Sequence, residues 1–451
     1  MRKITALLTA AALSFALCAC SSDPAVSDIS YVSLIAGSTE TSGSTDSTTN
    51  GTETSASEKT SEQTTVFTST DGSGESVTQI QSGSSAVPKN PSVTTVTKSQ
   101  DGAKQTERQT TVTTTPKVTV ATTTTTTTKK SVIQEAPADS TVIKLGSTST
   151  VSGVNPSGVT VNGSRVTITQ KGIYCVTGNL TNGMLEVNST GKVYLYLNGA
   201  NVTNSKGPAF LVTEAKRIVV TLMDNTVNSF TDGGADTTNN GAIFTHDTLE
   251  FNGEGSLYIR GNNREGIASN DDIIIQSGSY HITSFDDGLN ANDDITVNGG
   301  YVYIEAGGDG IDSKGTTNIT GGTVVIGKVG EIESSIESDG IFTINGGTVF
   351  AVGGSGTLRQ ASGTSTQNII LLPLGTTIPS GTVLSLEAKG KAIMTFAPAG
   401  PCSSLTVSSS DVAKGVTYSL YTGGSCTGTP INGVYSGGTY SGGKLLGSFA
   451  L

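Results

Sequence analysis

Residues 265–286 (EGIASNDDIIIQSGSYHITSFD), 287–308 (DGLNANDDITVNGGYVYIEAGG) and 309–330 (DGIDSKGTTNITGGTVVIGKVG) align without a gap at a period of 22. Each copy holds three short runs of β-favouring residues divided by Gly, Asn and Asp. Such runs cannot bury a core alone, whereas coils stacked along an axis share one. A looser copy precedes them, from Gly241 through LEFNGEGSLYIRG, and another follows an insertion, DGIFTINGGTVFAVGG from Asp339. After the turn, Leu257, Tyr280, Val302, Val324 and Val349 fall in one column, and Ile259, Ile282, Ile304, Ile326 and Ala351 in another. Period-2 alternation turns both columns inward. Ile273 and Ile295, with Ile275, Val297 and Ile319, do the same for a second face. The expected fold is an all-β parallel β-helix with coils of about 22 residues.

The stacking explains why residues 286–312 crowd six Asp and a Glu together. Equivalent residues on adjacent coils sit about 4.8 Å apart. Glu265, Asp287 and Asp309 form one column, and Asp271/Asp293 and Asp272/Asp294 form two more. Two bare carboxylates at that spacing repel by about 1 kcal/mol in water and about 3–4 kcal/mol at a protein surface. A hard cation removes the repulsion, and Ca²⁺ takes about six to eight oxygens from carboxylates, amides, carbonyls and water. Asp286, Asp287, Asn290, Asn292, Asp293, Asp294, Asp309 and Asp312 supply that mixture and are the candidate metal ligands. Glu331, Glu333, Glu337 and Asp339 extend the acidic zone with less support. The alternative is that Asp and Asn serve the turns and stack as hydrogen-bonded ladders.

Between the inward columns, Tyr258, His281, Tyr303, Val325 and Phe350 share one outward position, and Tyr301 lies two residues before Tyr303. A ladder of rings on a flat β face suits a pyranose chain. Cross-rung packing of aromatics without a ligand fits the pattern equally well. Nucleophilic or hydrolytic catalysis has little support: His246 and His281 are the only histidines, and neither has a Ser/Asp partner at a suggestive position. Lyase chemistry needs a base beside an acidic sugar, for which Lys314 and Arg264 are candidates; the plainer reading is that each offsets nearby acids.

The bulk numbers agree with a turn-rich β chain. Of 451 residues, 57 are Gly and none is Trp, and the formal charge of −11 makes nucleic acid an unsuitable partner. The first residues, MRKITALLTAAALSFALCACSS, combine a basic start, an apolar run and Leu17-Cys18-Ala19-Cys20, which resembles a lipobox. That implies a signal peptide over 1–19, lipidation of Cys20 and a place on the outer face of a bacterial membrane. Residues 20–139 are rich in Ser and Thr and are expected to be a disordered linker, whose reach as a coil is roughly 55–60 Å. The β-helix is expected over 140–367, and an antiparallel β cap over 368–451. Cys402 and Cys426 are candidates for a disulfide worth roughly 3–4 kcal/mol. Cys175, in GIYCVTG, reads as a buried small apolar residue.

VYLYLNGANVTNSKGPAF, EGIASNDDI, DDGLNANDDITVNGG, AGGDGIDSKGTTNITGGTVVI and YSLYTGGSCTGTPINGVYSGGTYSGG together resemble the bacterial extracellular carbohydrate-binding β-helix family, whose members look like pectate lyases in fold. The resemblance covers about residues 140–451. It implies a right-handed parallel β-helix with bound calcium, carried most credibly by Asp286, Asp287, Asn290, Asp309 and Asp312. It also implies binding of plant cell-wall polysaccharide, both cellulose and pectin-like uronate chains, without established cleavage. GEIESSIESDG interrupts the period and departs from related repeats. The expected protein is a monomeric, surface-anchored, calcium-binding glycan binder. A calcium-dependent polysaccharide lyase and a structural or adhesive β-helix without glycan binding are the alternatives.

Overall fold

The computed structural model describes residues 64–70, 76–82, 133–234, 238–356 and 358–451. The signal peptide and Cys20 lie outside the described residues. Thr64–Thr70 and Ser76–Ser82 pair antiparallel, with Phe67 opposite Gln79, in a unit of their own spanning Thr39–Thr126. They stand in the stretch expected to lack structure. Both are rich in residues that favour extended backbone.

From residue 133 the chain winds into a parallel β-helix of about seven turns with coils near 24 residues, followed by antiparallel sheets at its C-terminal end. Among the described residues there is one 3-10 turn, Pro156–Gly158, and no α-helix. One regular coil shows the plan: Leu289–Ala291 on a first face, Ile295–Val297 on a second and Tyr301–Glu305 on a third. The register repeats every 22 residues here, as Ile267 opposite Leu289 and Leu289 opposite Ile311 require. It widens by three residues after Ile311, which pairs with Ile336, because Glu331, Ile332 and Glu333 are looped out before the next coil.

The inward columns are where the alternation placed them. Leu257, Tyr280, Val302, Val324 and Val349 are mutual register partners, and all five are fully buried. Ile273, Ile295 and Thr317 form the matching column on the second face. Burying each large apolar side chain contributes roughly 1.5–3 kcal/mol, so the stack is held by repetition of modest terms. At the corner between the second and third faces the backbone must turn left-handed. Gly300 has φ 79°, and a Cβ there would meet the Gly278 carbonyl oxygen at 2.5 Å. Polar ladders run beside it: Asn298 donates to Gln276 at 2.9 Å and Thr320 to Asn298 at 2.6 Å.

Both ends of the stack are closed by antiparallel strands, which removes the open edges. Val159–Asn162 pairs with Arg165–Ile168 at one end. At the other, Thr348–Gly353 pairs with Cys402–Ser408, which pairs in turn with Ile369–Ile378. The C-terminal residues add a six-stranded antiparallel sheet built on Leu384–Ala388. Its Leu384, Leu386, Phe396 and Tyr418 share a second core with Leu405, Val407 and three outward residues of the helix, Tyr303, Val325 and Phe350. The module therefore covers part of the third face as well as the open end.

The cysteines require one correction. Cys175 is buried as expected, but Cys402 and Cys426 are also free, so the anticipated bridge is absent. Cys402 opens a buried strand beside Ile378, whereas Cys426 lies in a separate two-stranded ribbon opposite Tyr440.

Candidate functional site

Of the eight predicted ligands, six fall on two corners of the coil, one on each side of Leu289–Ala291, and two on the face between them. Asp286, Asp287 and Asp309 lie where the third face turns into the first, and Asn290 and Asp312 project from the first face itself, as register partners. Asp287 Oδ1 accepts the Asp309 N–H at 2.8 Å, and Asp309 Oδ1 accepts the Ser334 N–H at 2.6 Å. Asn290 Nδ2 donates to Asp287 Oδ2 at 2.8 Å and to Asp312 Oδ2 at 3.1 Å. Arg264 pairs with Asp286 at 2.9 Å and Lys314 with Asp312 at 2.8 Å.

One coil earlier in this column sits Glu265, only 1% exposed. Its Oε1 accepts from Asn240 at 2.6 Å, while its buried Oε2 has no hydrogen-bond partner among the described residues. Burial, followed by the neighbouring Asp286 charge, pushes its carboxyl from the ordinary 4.5 up to about 8. Burial likewise raises Asp309 to about 7, with the Ser334 N–H opposing and Asp287 adding. Asp287 is raised for the same first reason. Without a counter-cation these groups resist ionising.

The second corner joins the first and second faces and carries Asn292, Asp293 and Asp294. Asp271, Asp272 and Asp293 bring three carboxylate oxygens within 4.8 Å of one another. Thr248 Oγ1 donates to Asp271 Oδ2 at 2.5 Å, and the hydrogen-bonded Asp271 pushes the Asp293 carboxyl up. Asp272 Oδ1 accepts the Asp294 N–H at 3.1 Å, so Asp272 both faces the cluster and ties two coils together. Asn292 reaches Asn270 at 3.4 Å. Asp271, Asp272 and Glu265 were absent from the expected ligand set, although the period of 22 already placed them in columns with Asp293, Asp294 and Asp287. Glu337 and Asp339 are instead drawn to Arg359.

The aromatic column is in register as expected: Tyr258, His281, Tyr303, Val325 and Phe350 are successive partners. Its exposure is not. Tyr303 and Phe350 are 7% and 9% exposed beneath the C-terminal module, and Tyr303 donates to Glu305 at 2.7 Å. The expectation that these two line a glycan platform is therefore corrected: packing of the module claims them. What stays open is Tyr258, 46% exposed, stacked on His281 with centroids 4.5 Å apart and planes 8° from parallel. Tyr301 is half-buried at its side and accepts from Asn432 at 3.0 Å.

The two cations considered as bases are both held protonated. The hydrogen bond to Asp312 raises Lys314, and that to Asp286 raises Arg264. A general base needs the opposite shift. Each offsets adjacent acids.

The family described as carbohydrate-binding domain-containing proteins matches residues 162–416. The chain belongs to that family. A carbohydrate-binding domain-containing protein of Acetivibrio thermocellus is 30% identical over 138 residues, which is 29% of this chain and 48% of the relative. The chain thus matches about half the length of this curated relative. A solved structure described as a gadolinium derivative of the polysaccharide lyase-like protein from C. thermocellum is 26% identical, with a TM-score of 0.41; it covers 49% of this chain and 96% of its own. The family match spans both acidic corners, the Tyr258–His281 stack and the strands of the C-terminal module as far as Val416.

Proposed function

We propose that this carbohydrate-binding domain protein is a calcium-binding, non-catalytic receptor for plant cell-wall polysaccharide, of uronate or cellulosic type, tethered outside a bacterial membrane through Cys20. The observation that carries the calcium reading is Glu265, buried with an unpartnered oxygen above Asp287 and Asp309. The donor set fits a hard cation: carboxylates and an Asn amide, with no sulfur or imidazole in the clusters. Asp271, Asp272 and Asp293 would hold one ion, and Glu265 with Asp287, one coil on, would help to hold another. Bound calcium supplies positive charge that stabilises the crowded acids and accepts oxygens of an acidic sugar. The Tyr258–His281 stack offers an apolar surface with polar edges for a pyranose ring.

The test is co-sedimentation of the protein with insoluble cellulose and with pectin, in calcium and in chelator, while unsaturated-product absorbance is followed. Retention without product supports the proposal. Product formation would make the protein a lyase, and no retention on either glycan would leave a structural β-helix.

A further inference from the structure

The corner that carries Asp271 and Asp293 changes sign along the helix axis. The register sets Lys192 opposite Arg217 and Gly172 opposite Val193, which puts Lys171 at the same step one coil before Lys192. Ile218 faces Leu249, Leu249 faces Ile273 and Ile273 faces Ile295, so Lys216, Asp247, Asp271 and Asp293 follow in line. Lys216 thus heads the column of Asp247, Asp271 and Asp293, while Lys171 and Lys192 stand in the adjacent column ahead of Arg217, so the edge presents a lysine on each of three successive coils and then carboxylates on the next three. Arg217 is engaged by Glu250, and Asp247 accepts the Ala215 N–H at 2.7 Å. The three lysines are exposed and make no ion pair among the described residues. Glu214, two residues before Lys216, makes none either.

Lys171 and Lys192, in register about 4.8 Å apart, repel one another, and Lys216 adds a third unpaired cation on the next coil, one residue off their column, in a chain whose formal charge is −11. They border a groove of about 640 Å³ that also includes Ser189, Thr190 and Gly191. The groove is shaped for these side chains: a Cβ on Gly191 would meet Lys171 Cβ at 2.4 Å. Tyr194, 39% exposed, lies two residues beyond Lys192 on the same strand and offers a ring to a sugar. Cations at successive coils, hydroxyls in the groove and an exposed ring beside them match a glycan that bears a negative charge on successive sugars.

We propose that Lys171, Lys192 and Lys216 form a binding site for a polyanionic glycan that needs no metal. This rests on the glycan-binding reading above. An acidic chain laid along the edge meets the lysines directly, and meets the Asp271 corner only through a cation. Binding therefore has a chelator-resistant part, sensitive to salt, that belongs to the lysines.

The experiment titrates polygalacturonate, chondroitin sulfate and cellohexaose into the full-length protein in chelator and in calcium. The same titrations are run on the triple variants Lys171→Gln/Lys192→Gln/Lys216→Gln and Lys171→Arg/Lys192→Arg/Lys216→Arg. The expected result is polyanion binding in chelator that weakens several-fold with added salt, falls about tenfold in the Gln variant and survives in the Arg variant. Loss with polygalacturonate alone assigns carboxylated sugars; loss with both polyanions assigns any polyanionic glycan. Binding seen only in calcium, or unchanged in the Gln variant, overturns the lysine site while leaving the glycan reading intact. Silence of every glycan in calcium instead removes the glycan reading itself. Self-association in sedimentation that vanishes in the Gln variant would assign the lysines to the acidic corner of a second copy and overturn the proposal.

Discussion

The carboxylate of Asp294 accepts the backbone N–H of Thr316, one coil further on, at 2.7 Å. Asp287 does the same for Asp309, and Asp309 for Ser334. Part of the acidity of these coils is therefore mechanical: side chains at the corners satisfy N–H groups where the chain leaves the ladder. Asp294 lies outside the three-carboxylate cluster, so the two roles separate. Asp294→Ala is expected to lower stability by about 1 kcal/mol, the net value of an ordinary hydrogen bond, since solvent screens the charge of this exposed carboxylate, and to leave calcium stoichiometry unchanged. Asp271→Asn is expected to remove one calcium equivalent. Chemical denaturation and calcium titration of the two variants check this, and loss of calcium with Asp294→Ala alone would reverse the assignment.

Glu265 makes the metal-free protein sensitive to pH. Its carboxyl is raised from 4.5 to about 8 in the fold, so between those values the native state holds a proton that the unfolded chain has released. Its contribution is fully present below about pH 4.5 and is lost as pH rises toward 8. In chelator, thermal stability should fall across this window, and Glu265→Gln should flatten the fall. Calcium should abolish it in the wild type. A melt series in which the wild type and Glu265→Gln run parallel in chelator would contradict this.

Tyr258 and Phe350 occupy the same outward column but opposite environments. Tyr258→Ala should weaken glycan binding by several-fold at unchanged stability, since its ring is open and stacked only on His281. Phe350→Ala should cost about 3–5 kcal/mol, because the C-terminal module packs on it. Denaturant midpoints and binding isotherms of the two variants separate these effects.

How much of this was legible before the structure follows from what is local. The alternation of Leu257 with Ile259, repeated coil by coil, fixes face and register because a one-residue slip would expose the whole column. The burial of Tyr303 and Phe350 depends on Leu384, Phe396 and Tyr418, which have no periodic relation to the coils, so no pattern announced it. The acidic columns were visible, but eight residues were treated as one set although Leu289–Ala291 parts Asp287 from Asp293. Glu265 was overlooked as a ligand because its lone buried oxygen is a property of packing, as is the separation of Cys402 from Cys426.

The most direct test of the central claim is calorimetric titration of polygalacturonate into the full-length protein, first with calcium and then in chelator, with product absorbance recorded throughout. The account predicts saturable binding that calcium strengthens, no unsaturated product, and loss of the calcium-dependent part in Asp271→Asn. Equal binding with and without calcium, or accumulation of product, would contradict it.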